Sequence, residues 1–140
     1  LSLISFMRIS NSNEILIESE ELVITNNPLT TNFIGNVYAF DDEIEMWSDK
    51  ILILYTEVDN KIDKIKSFGN TKLIRENQEI TAKNIIYHVI DKKIYAKGNI
   101  TLIEDKNVIK GDELNVDLVK STSIMKSDTE SRVKVIINDN

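Results

Sequence analysis

The amino-acid sequence predicts an all-β chain of many short, bent strands stacked around one apolar interior. Three observations lead there. The dipeptide Gly-Asn occurs at Gly35-Asn36, Gly69-Asn70 and Gly98-Asn99, and the residues around it recur in register after 34 and then 29 residues. The same intervals carry Asp49 to Lys83 to Asp112 and Ile51 to Ile85 to Leu114, and a unit reused at a fixed period stacks on itself. The apolar residues are dominated by Ile, with Val, Leu and Thr beside it, a largely β-branched set that suits a pleated, half-buried surface. Apolar and polar residues alternate with a period of two, while helical periodicity is weak throughout.

Turn-forming clusters divide the chain at Asn26-Asn27-Pro28, Asp41-Asp42, Glu57 to Asn60, Glu76-Asn77, Asp91 to Lys93, Glu104 to Asn107 and Lys120 to Ser123. Asn, Asp, Gly and Ser favour such places because they tolerate turn geometry. The segments between run about 12 to 16 residues, long for one strand and suited to two short strands with a bend.

Two kinds of segment alternate. The first, Ile17 to Ile24, bends at Glu20, 29 residues before its counterpart Asp49. Asn32 to Phe40 follows, with Gly35-Asn36 at its middle; Gly inside a strand marks a bulge or sharp bend. Glu45 to Ile53 bends at Asp49, and the next segment turns on Gly69-Asn70. The following pair turns on Lys83 and then on Gly98-Asn99. Val108 to Val116 bends at Asp112, and Lys126-Ser127-Asp128 is a worn copy of Lys97-Gly98-Asn99. After each charged bend, alternation turns one set inward: Leu22 and Ile24, then Ile51, Ile53 and Tyr55, then Ile85, Tyr87 and Val89, then Leu114, Val116 and Leu118. Asn84, His88, Asn115 and Asp117 fall on the opposite face.

Composition excludes several function classes. The chain has 140 residues, 41% of them apolar, enough for one domain with a core. A net charge of −6 argues against a nucleic-acid partner, which needs a basic face. Lys61, Lys64, Lys66 and Lys72 read as a solvated strand face. There is no Cys, hence no disulfide, thiolate metal site or Cys nucleophile. No apolar stretch has the length of a membrane helix. The only histidine, His88, has no nucleophile–base partnership legible around it. The carboxylates of Asp41, Asp42, Glu43 and Glu45, and of Glu18, Glu20 and Glu21, fall at turns and on polar faces where charge is expected. Trp47 reads as a partly exposed filler. The sequence therefore predicts no catalytic residue, metal site or cofactor. Residues 1–13 lie outside the repeat; Leu1 to Met7 is either the tail of a signal peptide or a first strand.

Several segments in order resemble the LptA (OstA-like) family of periplasmic lipopolysaccharide-transport proteins. They are Ile15 to Glu20, Phe33-Ile34-Gly35-Asn36-Val37, Ser48-Asp49-Lys50, Ile109 to Glu113, Lys126-Ser127-Asp128, and Arg132 to Ile137. The resemblance covers about residues 14–137, leaving 138–140 as a C-terminal end. It implies a twisted β-jellyroll open at both ends, with an apolar groove for lipopolysaccharide acyl chains. It also implies head-to-tail self-association and joining to LptC-like and LptD-like β-jellyroll domains, bridging the inner and outer membranes. By motif position the groove residues are Ile15, Ile17, Ile74, Tyr87 and Val89, and parity adds Ile53, Leu114 and Val116. Unpaired edge strands template strand addition, and the expected assembly edges carry Ile15, Leu16 and Ile17 at one end and Val133, Val135 and Ile137 at the other.

Within that family LptA is expected, rather than the N-terminal domain of LptD or the periplasmic domain of LptC, because neither a barrel nor an anchoring helix is present. From other classes, a structural β-stack with a closed core predicts no lipid binding. A carbohydrate-active protein predicts dependence on Asp41, Asp42 and Glu43.

Overall fold

The computed structural model describes residues 14–138. Residues 1–13, read above as an extension or signal-peptide remnant, lie outside that range. The described residues form ten strands and no helix: β1 (Leu16–Glu18), β2 (Glu21–Thr25), β3 (Thr30–Phe40), β4 (Ile44–Tyr55), β5 (Ile62–Arg75), β6 (Gln78–His88), β7 (Lys93–Glu104), β8 (Asn107–Asp117), β9 (Thr122–Lys126) and β10 (Lys134–Ile136). β3 to β8 follow one another as an antiparallel meander. β1 and β2 pair with the two halves of β3, and β9 and β10 with the two halves of β8. Turn residues at positive φ, among them Asn60, Glu76, Lys92, Asp105 and Ser121, stand where the turn clusters predict.

One expectation changes. From β3 to β8 each pair of short strands is a single long strand, 11 residues in β3 and 14 in β5, while β1 with β2 and β9 with β10 stay as short pairs. The bend is a bulge inside a continuous ladder: the register slips between Ile34 and Val37, Phe68 and Thr71, and Lys97 and Ile100. At each slip the two residues of Gly-Asn oppose one charged residue, Asp49, Lys83 or Asp112, as in a bulge. Hydrogen bonding resumes on both sides, so the corner bends the strand without ending it.

The corners line up across the sheet and fold it over on itself. Contacts between the halves show this: Ser67, which pairs with Ile51 in one half, has its Oγ 2.7 Å from Sδ of Met46, which pairs with Leu73 in the other. The core between the halves is built from Phe33, Val37, Ile51, Ile53, Leu73, Ile80, Ile85, Ile94, Ile100 and Leu114. At Gly-Asn corners the alternation of buried positions runs through unbroken, as in Ser67, Thr71 and Leu73. At charged bends it slips by one, from Met46 and Ser48 to Ile51 and Ile53. The buried hydroxyls sit beside the corner: Ser48 Oγ lies 3.1 Å from the carbonyl oxygens of both Lys50 and Phe68, to one of which it donates, and 3.2 Å from Thr71 Oγ1. Ser48 thereby satisfies a backbone carbonyl beside the bulge.

Candidate functional site

Inner positions of neighbouring strands form continuous rows. One runs Ile17, Ala39, Met46, Leu73, Ile80, Leu102, Ile109 and Val135, and a facing one runs Leu22, Phe33, Ile51, Ser67, Ile85, Ala96, Leu114 and Met125. The interior is thus almost wholly apolar from one edge of the sheet to the other. Along the middle it is filled: Ile53 and Leu114 have 0% exposure. It opens at one end, where Ile15, Ala39, Phe40, Ile44, Met46, Ile65 and Tyr87 line a cavity of about 40 Å³ with Asp41 at its rim. That volume holds a few water-sized atoms, so the two halves must part for a hydrocarbon chain to pass between them.

The polar groups at this mouth are held at its rim. Asp41 caps its own turn, its Oδ1 accepting from the backbone N–H of Glu43 and of Ile44 at 2.8 Å each; this is a structural use for the acidic cluster read from sequence. On the outer face, away from the mouth, Glu45 Oε2 accepts from the Tyr38 hydroxyl at 2.7 Å. Burial pushes the Tyr87 phenol above its ordinary value, the Asp41 and Glu43 carboxylates add to that shift, and Arg75 opposes it. Tyr87 therefore presents a neutral ring to the mouth. Among the described residues no group of three or more His, Asp or Glu side chains is arranged to hold a metal.

The eight groove residues expected from sequence divide into four sets. Ile15 and Tyr87 line the mouth. Ile17, Val89 and Val116 are half-buried and pack against the core. Ile53 and Leu114 are the sealed core itself. Ile74 is a correction: it stands on the outer face between Glu45 and Glu79, and its neighbour Leu73 points inward at 1% exposure. The Gly69-Asn70 bulge preserves parity through β5, so position 73 is the inner one. Ala39, Phe40, Ile44, Met46 and Ile65 were missed. Strict alternation back from the Asp49 bend and forward into Ser67 would have found Met46 and Ile65; Phe40 lines the mouth only because the strand ends there.

His88 lies on the outer face between Lys64 and Lys93. Trp47 packs outside, its ring centroid 5.2 Å from that of Tyr38 and 5.3 Å from Lys72 Nζ.

Among the described residues both sheet edges are unpaired on one side. Leu16 in β1 and Val135 in β10 are exposed, as are Val133 and Ile137 flanking β10. Ile15 is buried just ahead of β1, and Ile17 is half-buried against the core. The edges also include Val23 in β2 and Ile124 in β9, not singled out from sequence, and Leu22 and Ile24, which alternation turns inward; all four are exposed at the sheet edge.

Residues 16–122 match the family described as LptA/(LptD N-terminal domain) LPS transport protein. An uncharacterized protein of Rhizobium meliloti is 28% identical over 120 residues, covering 80% of this chain; the chain spans 64% of that relative's length. In fold the chain is similar to LptH, the LptA homologous periplasmic component of the conserved lipopolysaccharide transport device from Pseudomonas aeruginosa. The TM-score is 0.79 over 89% of this chain and 95% of that one, at 12% identity. That family comprises transport components rather than enzymes. With the family match spanning most of the bent sheet, this chain belongs to the LptA/(LptD N-terminal domain) LPS transport protein family.

Proposed function

We propose that the protein carries lipopolysaccharide through the periplasm with the lipid's acyl chains held between the two halves of the sheet. In this reading it joins like domains through its two free edges into a bridge between inner and outer membranes. The observation that carries the proposal is the uninterrupted apolar interior ending in a mouth lined by Ile15, Ile44, Ile65 and Tyr87. Burying a methylene contributes roughly 0.8 kcal/mol, so several acyl chains supply the affinity while their phosphates stay in water. The net charge of −6 is then no obstacle to an anionic lipid. Parting the halves at the mouth exchanges protein–protein for protein–lipid apolar contact, which is nearly neutral in free energy. Membership of a transport family and the likeness in fold to a periplasmic component support the setting. The exposed apolar residues of both edges support strand addition by LptC-like and LptD-like domains or by a second copy.

Photocrosslinking tests the carrier reading. A photoreactive residue at Tyr87 or Ile65 is expected to capture lipopolysaccharide, and one at the outward positions Ile74 or His88 is not. Equal capture from all four would overturn it.

A further inference from the structure

The meander places its turns alternately along two lips, one at each end of the bent strands, and the lips differ in chemistry. Turns 41–43, 76–77 and 105–106 form one lip and hold no apolar residue, with Asp41, Asp42, Glu43, Glu76 and Asp105 among them. On the other lip, turns 56–61, 89–92 and 118–121 each present one large apolar residue to solvent. Val58 is 97% exposed, Ile90 61% and Val119 73%; the fourth turn, 26–29, has Leu29 half-buried. Val89 and Leu118 pack against the core, so the exposed residue beside each lies beyond the interior and contributes nothing to it. The three tips stand in a fixed row. The Val89 N–H donates to the Asp63 carbonyl at 2.9 Å and the Leu118 N–H to the Lys92 carbonyl at 3.0 Å, tying each hairpin to the next. Asp117 Oδ1 accepts from the N–H of Val119 and of Lys120 at 3.0 Å each, which fixes the last turn. Tips two strands apart stand roughly 10 Å from one another.

We propose that this lip rests on an anionic phospholipid surface, with Val58, Ile90 and Val119 dipping among the lipids and Lys92, Lys93 and Lys120 against their phosphates. The inference goes beyond the carrier reading and needs neither cargo nor a joined edge. The three lysines flank the tips, are exposed, and form no ion pair among the described residues. Behind the tips, the outer face of the same half continues with Lys64, Lys66, Lys97 and Lys126, each at an outward position of its row. Against these stand Glu57, Asp91, Glu113 and Asp117, fewer than the lysines and interspersed with them. Each lysine near an anionic surface is attracted to it, while the carboxylates of the opposite lip are repelled, so charge turns this lip and not the other toward the lipid. The spacing of the apolar residues selects the kind of partner. Single side chains set apart among lysines suit a fluid interface that closes around each of them; a protein partner asks for a contiguous apolar patch.

The chain contains no Cys, so a single introduced thiol carries an environment-sensitive fluorophore to a chosen turn. Full-length Ile90→Cys and Val119→Cys, labelled in this way, are expected to brighten and shift to the blue on vesicles of mixed phosphatidylcholine and phosphatidylglycerol free of lipopolysaccharide. Asn77→Cys, on the opposite lip, is not. In vesicle flotation, Val58→Ser/Ile90→Ser/Val119→Ser is expected to bind roughly tenfold more weakly or worse. Lys92→Glu/Lys93→Glu/Lys120→Glu is expected to lose about as much, and binding by the unaltered chain to fall as salt rises. Val135→Ser/Ile137→Ser, at exposed apolar positions away from this lip, is expected to bind as the unaltered chain does. All the substituted residues are exposed, and circular dichroism of each variant checks that the fold is kept. No vesicle binding by the unaltered chain, an equal emission change at Asn77, or binding indifferent to both triple substitutions overturns the proposal. So does an emission change at Ile90 that follows protein concentration and needs no vesicles, because a second copy then covers the tips. The vesicles hold no lipopolysaccharide, so each of these outcomes stands apart from capture at Tyr87, which tests the carrier reading.

Discussion

At the scale of single residues, the corner is where the backbone is most constrained. Gly69 has φ +81, and a Cβ there would stand 2.5 Å from Oδ2 of Asp49, whose carboxylate accepts from Asn70 Nδ2 at 3.1 Å. The left-handed backbone favours glycine, while the Asp49 side chain must shift to admit a Cβ. Gly69→Ala is expected to lower unfolding stability by about 1–2 kcal/mol from the backbone alone, read as a shift in urea midpoint. Adding Asp49→Ala removes the contact but not the backbone penalty, so it should recover only part of the loss. At the worn corner a carboxylate does the holding. Asp112 Oδ2 accepts from the Asp128 N–H at 2.8 Å and the Ser131 hydroxyl at 2.9 Å, which hold its carboxyl below the ordinary carboxylate value. Because the folded value is depressed, this stabilisation is complete above the unfolded value of about 4 and is lost as pH falls through the folded one. Amide exchange at Asp128, corrected for the intrinsic pH dependence, is expected to lose protection on acidification below that range. In Asp112→Asn protection should be lower at neutral pH and its pH dependence flattened.

At the scale of the strand, parity decides which apolar residue is core and which is surface. β5 carries Leu73 and Ile74 side by side, similar in size and hydrophobicity, and only one can face inward. Leu73 packs in the core at 1% exposure, whereas Ile74 sits outside between glutamates. Leu73→Ala is expected to destabilise the fold by about 2–5 kcal/mol, as cavity-forming core substitutions do. Ile74→Ala should cost about 1 kcal/mol or less. Chemical denaturation of the two variants compares them directly, and equal losses would refute the parity. The repeat made most of each strand legible: the spacing of Gly-Asn, the charged bends opposite it, and the inward Ile51, Ile85 and Leu114 all stand where the intervals place them. Ile74 was misread because family position, rather than alternation along its own strand, assigned its face. A shift of one residue turns every side chain over.

At the scale of the whole molecule, the middle of the interior is sealed while a small mouth stands open beside Ile15 and Tyr87. In the proposed carrier reading, cargo capacity then depends on how easily the halves part at that mouth. Ala39 lines the mouth and is half-buried against the core. Ala39→Phe is expected to plug the opening and to reduce lipopolysaccharide capture from a photoreactive residue at Ile65 several-fold, leaving edge-to-edge association intact. Loss of both together would show that the substitution disturbs the fold rather than the opening.

The repeat, the alternation and the turn chemistry are local properties, and from them alone the chain was determined to be all-β, bent at regular corners, acidic outside and apolar within. A period of two and a glycine that must take positive φ need no partner to be read. Which inner residues are sealed and which border an opening depends on how far two distant halves approach, and no local pattern encodes that distance. Tertiary structure alone placed Phe40 at the mouth beside Ile15 and Tyr87, and set the exposed ends of the rows at opposite edges of the sheet.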